Sequence, residues 1–142
     1  MSNVAEIMQC EPVSFTGEET LEEAIRALRA ADISCAPIVV DGRLTGMVSE
    51  VALLDVYFDP QLRTAPVSDV AAQECRVVEP MTPLGRAAHL FGLTGLDCLP
   101  VVVGDQFMGL LRRRDLLSYA LQAPAERWEP LARLVGSDGP AA

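Results

Sequence analysis

Arg112, Arg113 and Arg114, followed directly by Asp115, are the residues of this chain best suited to holding a ligand. A guanidinium grips phosphate or carboxylate through paired N–H groups, and a carboxylate accepts from two neighbouring hydroxyls. Ser49 offers a hydroxyl at a similar apolar-to-helical junction. Elsewhere the means for chemistry are thin. The chain has no lysine, which removes a pyridoxal Schiff base and the lysine of a phosphate-binding P-loop. His89 is the one histidine, so neither a zinc site nor a Ser-His-Asp triad is expected, and no nucleophile-elbow sequence supports a triad. Glu18, Glu19, Glu22 and Glu23 read as a solvated helix start that suits the helix dipole. No catalytic constellation emerges, and the chain is not expected to be an enzyme.

The elements that position these residues come from a chain of 142 residues, half of them apolar. That is enough for one domain, or for two very small ones sharing a core. The net charge of −9 disfavours nucleic acid and anionic lipid surfaces as partners. It is uneven: residues 1–63 carry 4 Arg against 11 acids, and residues 64–142 carry 7 Arg against 9 acids. No apolar run approaches the roughly 18 residues of a membrane span. The start, MSNVAEIMQCEP, has neither a basic region nor an apolar one, so a cytoplasmic protein is expected. Cys10, Cys35, Cys75 and Cys98 lack metal or redox spacing and read as reduced, buried thiols.

Shifted by 63 positions, the sequence matches itself without a gap. CAPIVV (35–40) falls on CLPVVV (98–103), and GMVSEVALL (46–54) falls on GLLRRRDLL (109–117). Such a constant offset is an internal repeat. Each copy opens with a short helical piece (4–8; 67–71) and a brief extended segment (13–15; 76–78). A helix follows. Thr20 and Glu23 form a capping box for the first, while Thr82 can cap the second with Pro83 at its first position. The apolar, β-branched runs are buried strands, turned at Asp41-Gly42 and Gly104-Asp105 into return strands 44–48 and 107–111. A second helix closes each copy, near 50–58 and 113–122. The expected fold is α+β: two β-α-β-β-α repeats, residues 1–62 and 63–123, packed through their sheets about a pseudo-twofold axis. In the extension 124–142, PAERWEPLARLV suggests a short helix with Trp128 packed locally, before a disordered tail.

This pattern resembles a tandem pair of CBS (cystathionine β-synthase type) domains, a Bateman module. The resemblance rests on Ala36-Pro37 and Leu99-Pro100 in the strands, on Gly46 and Gly109, and on the strand-to-helix signature these glycines open. That signature reads Gly, any residue, apolar, Ser or Thr, two residues, Asp and an aliphatic. The resemblance implies a stand-alone regulatory module binding an adenosine-containing ligand (AMP, ADP, ATP or S-adenosylmethionine) in clefts between repeats, with no other cofactor. It also implies that the signature hydroxyl contacts phosphate and the signature Asp contacts ribose. The adenine base would lie near Ser14 and Ala36-Pro37 in one cleft, and near Arg76, Val77 and Leu99-Pro100 in the other.

Each copy departs from the signature at one position. The first keeps Ser49 but has Ala52 in place of the Asp; the second keeps Asp115 but has Arg112 in place of the hydroxyl. Cations at a helix N-terminus are disfavoured by roughly 0.3–1 kcal/mol each. One reading makes Arg112, with Arg114, a replacement phosphate clamp beside Asp115. Another has the arginines pairing with acids at an interface, and Ser49 serving only as a helix cap. The alternative function is then a degenerate, ligand-free module for dimerisation or protein interaction. The second helices carry more apolar residues than one face requires, which suggests a homodimer formed through them. A regulated protein partner is implied but not identified.

Overall fold

A computed structural model describes residues 2–122. The extension with Trp128, expected to hold a short helix, lies outside the described residues. The protein is α+β. Its elements are α1 (Leu21–Ala31), β1 (Cys35–Val40), β2 (Arg43–Ser49), α2 (Glu50–Tyr57), α3 (Leu84–Thr94), β3 (Cys98–Val103), β4 (Gln106–Arg112) and α4 (Arg113–Gln122). A 3₁₀ turn precedes each half, at Val4–Glu6 and Val67–Asp69. The β-β-α order thus occurs twice.

The chain forms two compact units. The first comprises Glu11–Arg76 with Gly104–Phe107. Its core is built from Phe15, Leu21, Leu28, Ile38, Val48, Leu53 and Val67. Burying each large aliphatic side chain there contributes about 1.5–3 kcal/mol. β1 and β2 pair antiparallel from Cys35↔Ser49 to Val40↔Arg43. Asp41 and Gly42 both have positive φ (53° and 78°), as the two-residue turn between twisted strands requires. The extended segment before α1 is a one-residue parallel bridge. Phe15 N donates to Pro37 O, and Val39 N donates to Phe15 O, each at 2.9 Å. Thr20 caps α1 with the expected box: Glu23 N donates to Thr20 Oγ1 at 3.1 Å, and Thr20 N donates to Glu23 Oε1 at 2.8 Å. Glu19 accepts from Thr16 N, Thr16 Oγ1 and Gly17 N. Partial burial pushes its carboxyl pKa up, but these donors outweigh that and hold it below the ordinary glutamate value.

Among the described residues, the second unit holds 2–10, Val77–Val103 and 108–122. Val4, Val78, Leu84, Phe91, Leu99, Val101, Leu111 and Leu116 form its core. Val78 repeats the role of Phe15: its N donates to Pro100 O at 3.0 Å, and Val102 N donates to its O at 2.9 Å. Thr82 does not cap α3 as expected. Its Oγ1 accepts from Glu79 N, and Pro83 occupies the N-cap position without a side-chain bond.

The compact units differ from the sequence copies in which N-terminal segment they contain. Residues 2–10 fold with the second copy: Val4 N donates to Thr82 O, Leu84 N to Ser2 O, and Gln9 and Leu110 exchange both backbone bonds at 2.8 and 2.9 Å. Residues 65–72 fold with the first: Leu21 N donates to Ala65 O, Val67 N to Glu19 O, and Met47 and Ala72 exchange bonds at 2.9 Å. These crossings account for the glycines at 46 and 109. A Cβ on Gly109 would lie 2.6 Å from Gln9 O, and one on Gly46 would lie 3.2 Å from Ala72 O.

The cysteine expectation holds only in part. Cys10 is an exposed free thiol and Cys75 a half-buried one. Burial pushes the Cys75 pKa up. Cys35 and Cys98 are disulfide-bonded, not reduced. Neither has the close CxxC spacing that would have signalled it.

Candidate site at the strand-to-helix junctions

Each candidate site is a place where the return strand runs directly into the second helix with no loop. The last residue of the strand is then the helix N-cap. Its side chain sits beside the free N–H groups of the first turn, where the dipole favours negative charge.

At the first junction the N-cap is Ser49, with extended φ −114° and ψ 151°. Its Oγ accepts from Ala52 N at 3.2 Å. The hydroxyl therefore does what an N-cap serine does in any helix. Glu50 N donates to Ser34 O at 2.8 Å, which fixes the entry of α2. The structure brings the other first-copy candidates to the same end of the unit. Ala36 and Pro37 stand on β1 beside the end of β2, where Ala36 opposes Val48. Ser14 precedes Phe15, whose N bonds Pro37 O. Of these residues only Ser14 is exposed; Ala36 and Pro37 are core.

Arg112 ends β4 at the second junction, and Asp115 lies in the first turn of α4. Arg112 Nε donates to Asp115 Oδ2 at 2.7 Å, and Nη2 donates to Oδ1 at 2.9 Å. This is a bidentate, charge-assisted pair, about three-quarters buried on both sides (24% and 27% side-chain exposure). It answers the dipole objection to Arg112, because the paired carboxylate balances the cation's charge. The neighbouring arginine is also tied down. Arg113 N donates to Asp97 O at 2.8 Å, and its Nη2 lies 2.9 Å from Asp97 Oδ1. Asp97 stands 63 positions after Ser34 and repeats its backbone contact; sequence reading did not single it out. Arg114 is exposed on α4. Leu99 and Pro100 are buried on β3, and Val77 is exposed just before the Val78 bridge. Arg76 is exposed and ends the Glu11–Arg76 segment of the other unit.

The junctions are therefore unequal. The first offers a hydroxyl and no carboxylate. The second offers a cation and a carboxylate already locked together, with a further exposed arginine. Among the described residues, no group of three or more His, Cys, Asp or Glu side chains is placed to hold a metal. Nor is any helix among them long and apolar enough to cross a membrane.

Comparison with known proteins agrees with this architecture. The CBS domain matches twice, over residues 4–59 and 67–122, and the chain belongs to the CBS domain family. A CBS domain-containing protein of Dictyostelium discoideum is 28% identical over 132 residues, covering 84% of this chain and 91% of that protein. The CBS domain-containing protein YhcV of Bacillus subtilis is 26% identical over 118 residues, covering 82% and 84%. Among solved structures, CBSX2 of Arabidopsis thaliana in complex with AMP superposes with a TM-score of 0.78 at 25% identity, covering 86% of this chain and 98% of that one.

Proposed function

We propose that this protein is a non-catalytic regulatory module that binds an adenosine-containing ligand at the second junction. The Arg112–Asp115 pair carries the proposal. It places a phosphate-binding cation and a ribose-binding carboxylate three residues apart at a helix start, partly open to solvent. On binding, Arg112 would exchange the Asp115 carboxylate for ligand phosphate. Asp115 would then be free to accept from the ribose hydroxyls, and Arg114 would add a second cation. The base would lie against Val77 and Leu99-Pro100. The AMP complex of CBSX2 supports the ligand class. The three arginines favour AMP, ADP or ATP over the sulfonium of S-adenosylmethionine. The first junction, with Ser14, Ala36, Pro37 and Ser49, would bind weakly at best, because Ala52 leaves no carboxylate for ribose.

A second reading is supported by the same distances. Arg112 and Asp115 satisfy each other, and Ser49 is used as a cap. The module would then bind no ligand and act in association alone. Self-association belongs to both readings: Leu54 and Leu117, at equivalent positions of α2 and α4, are 60% and 61% exposed. A thermal-shift screen against AMP, ADP, ATP and S-adenosylmethionine, with and without magnesium, separates the readings. A bound ligand at about 100 times its Kd raises stability by about 2.7 kcal/mol. A shift in the wild type that disappears in both Arg112→Ala and Asp115→Ala supports the sensor. No shift with any ligand, from a folded protein, supports the association module.

A further inference from the structure

Each unit has a groove between its two helices, and the two grooves differ. The groove between α1 and α2 measures about 290 Å³ and is lined by Ile25, Leu28, Arg29, Leu53 and Tyr57, with Glu50 at its edge. The groove between α3 and α4 measures about 410 Å³. Its floor stays large and apolar, with Phe91 in the place of Leu28 and Leu116 in the place of Leu53. Its walls are cut back: Ala88 stands for Ile25, Gly92 for Arg29 and Ala120 for Tyr57, each 63 positions later. At the edge Arg113 replaces Glu50 and keeps half its side chain in solvent despite its bond to Asp97.

In the first unit the segment after α2 folds back and holds the groove's aromatic ring. Arg63 Nε donates to Tyr57 O at 2.9 Å, and the Arg63 guanidinium lies 4.7 Å from the centre of the Tyr57 ring. The segment then returns to the start of α1, where Leu21 N donates to Ala65 O. The equivalent path after α4 is closed. There Leu84 N donates to Ser2 O, and Ser2 Oγ is hydrogen-bonded to Tyr119 Oη at 2.6 Å, so residue 2 takes the place that Ala65 takes in the first unit. Residues 123–142 follow α4 directly and contain Trp128, the chain's one tryptophan, with Glu126 and Glu129 on either side and Arg127 between. Six residues past Gln122 reach at most about 20 Å. Ala120, in the groove wall, precedes Gln122 by two residues, so Trp128 can reach the groove of its own unit. A tryptophan ring buries about 150–250 Å². A tether this short presents it at an effective concentration on the order of a millimolar.

We infer that residues 123–135 dock on the α3/α4 face of the same chain and seat the Trp128 indole in the groove, over Phe91 and between Gly92 and Ala120, with the flanking acids toward Arg113. The segment then supplies the ring that Tyr57 supplies in the first unit. The contact covers Leu117, so any other partner for this face must displace it. The inference depends on neither reading of the junction.

Because the chain has one tryptophan, intrinsic fluorescence of the full-length protein reads this contact directly. The wild type is expected to emit at shorter wavelength than N-acetyltryptophanamide in the same buffer and to resist quenching by acrylamide. Gly92→Arg combined with Ala120→Tyr restores the first-copy residues and fills the groove. A Cβ at Gly92 meets no atom within 4 Å, so the helix accepts the larger side chain. This variant is expected to keep the wild-type circular dichroism while its emission and quenching become those of the free amide. Leu117→Asp, at a position 61% exposed, is expected to do the same without filling the groove. Wild-type emission and quenching equal to those of the free amide would overturn the inference, since the groove would then be open or covered by something else. Short-wavelength emission that both variants leave unchanged would place Trp128 elsewhere and overturn it too. The filled-groove variant is also mixed with Trp128→Ser, whose groove is open, and its emission is expected to stay that of the free amide. Recovery of short-wavelength emission in the mixture would assign the groove to the segment of a second copy and overturn docking within one chain.

Discussion

Gly109→Ala and Gly46→Ala are the same substitution at equivalent positions, yet they should differ sharply. At Gly109 the new methyl would meet Gln9 O at 2.6 Å, with Met8 Sδ at 3.1 Å. The methionine can swing away, but the carbonyl is backbone. It is also half of a two-bond bridge, in which Gln9 N donates to Leu110 O and Leu110 N donates to Gln9 O. Moving it loosens both bonds, at about 1 kcal/mol each. The forced displacement adds about 1–3 kcal/mol. Alanine recovers about 0.4–1 kcal/mol by restricting the unfolded chain. The net for Gly109→Ala is a loss of about 2–4.5 kcal/mol. At Gly46 the methyl would meet Ala72 O at 3.2 Å and the Ala71 methyl at 3.3 Å, so a shift of a few tenths of an ångström suffices. There the cost is about 1 kcal/mol, and the unfolded-state gain offsets most of it. At roughly 3 °C per kcal/mol for a chain of this size, Gly109→Ala should melt about 6–12 °C below Gly46→Ala by differential scanning calorimetry. Melting temperatures within about 2 °C of each other would refute the packing of residues 8–9 over Gly109, and with it the assignment of the N-terminal segment to the second unit.

The remaining predictions are local. Thr20→Ala removes the α1 cap and should cost about 1 kcal/mol in urea unfolding, whereas Thr82→Ala, which caps no helix, should cost less. Because the folded-state pKa of Glu19 is depressed, its contribution is present above the unfolded value of about 4.3 and is lost as pH falls through the lower folded value. Melting curves between neutral pH and pH 3 should therefore fall less steeply for Glu19→Gln than for the wild type. In denaturant without reductant, only Cys10 and Cys75 should react with a thiol reagent, and all four cysteines should react after reduction. In the native protein Cys10 should be alkylated before Cys75, whose raised pKa and burial leave less accessible thiolate.

What the sequence revealed follows the range of the interaction. The Thr20–Glu23 box spans three residues and was legible because its partners are chosen by spacing alone. The hairpins, the buried strands and the second helices followed from turn chemistry and apolar runs. Thr82 misled for a local reason: its hydroxyl had a competing donor at Glu79 N, and Pro83 took the cap position instead. The crossing of residues 2–10 and 65–72 into opposite units was not legible. It depends on backbone bonds between residues far apart in sequence, such as Met47 with Ala72 and Gln9 with Leu110, and no side-chain pattern encodes them. Gly46 and Gly109 were visible as signature residues, but the reason for them is the carbonyl that crosses above. At the second junction the Arg112–Asp115 spacing was visible in the sequence. The tie between Arg113 and Asp97 was not visible, because Asp97 enters from the start of β3.

Whether the Arg112–Asp115 pair opens for a ligand is the central point, and isothermal titration of the full-length protein with AMP measures that most directly. The expected result is one AMP per chain in the wild type, with affinity lowered at least about ten-fold in both Arg112→Ala and Asp115→Ala, equivalent to about 1.4 kcal/mol or more. No heat of binding in the wild type, or binding that both substitutions leave unchanged, would contradict it.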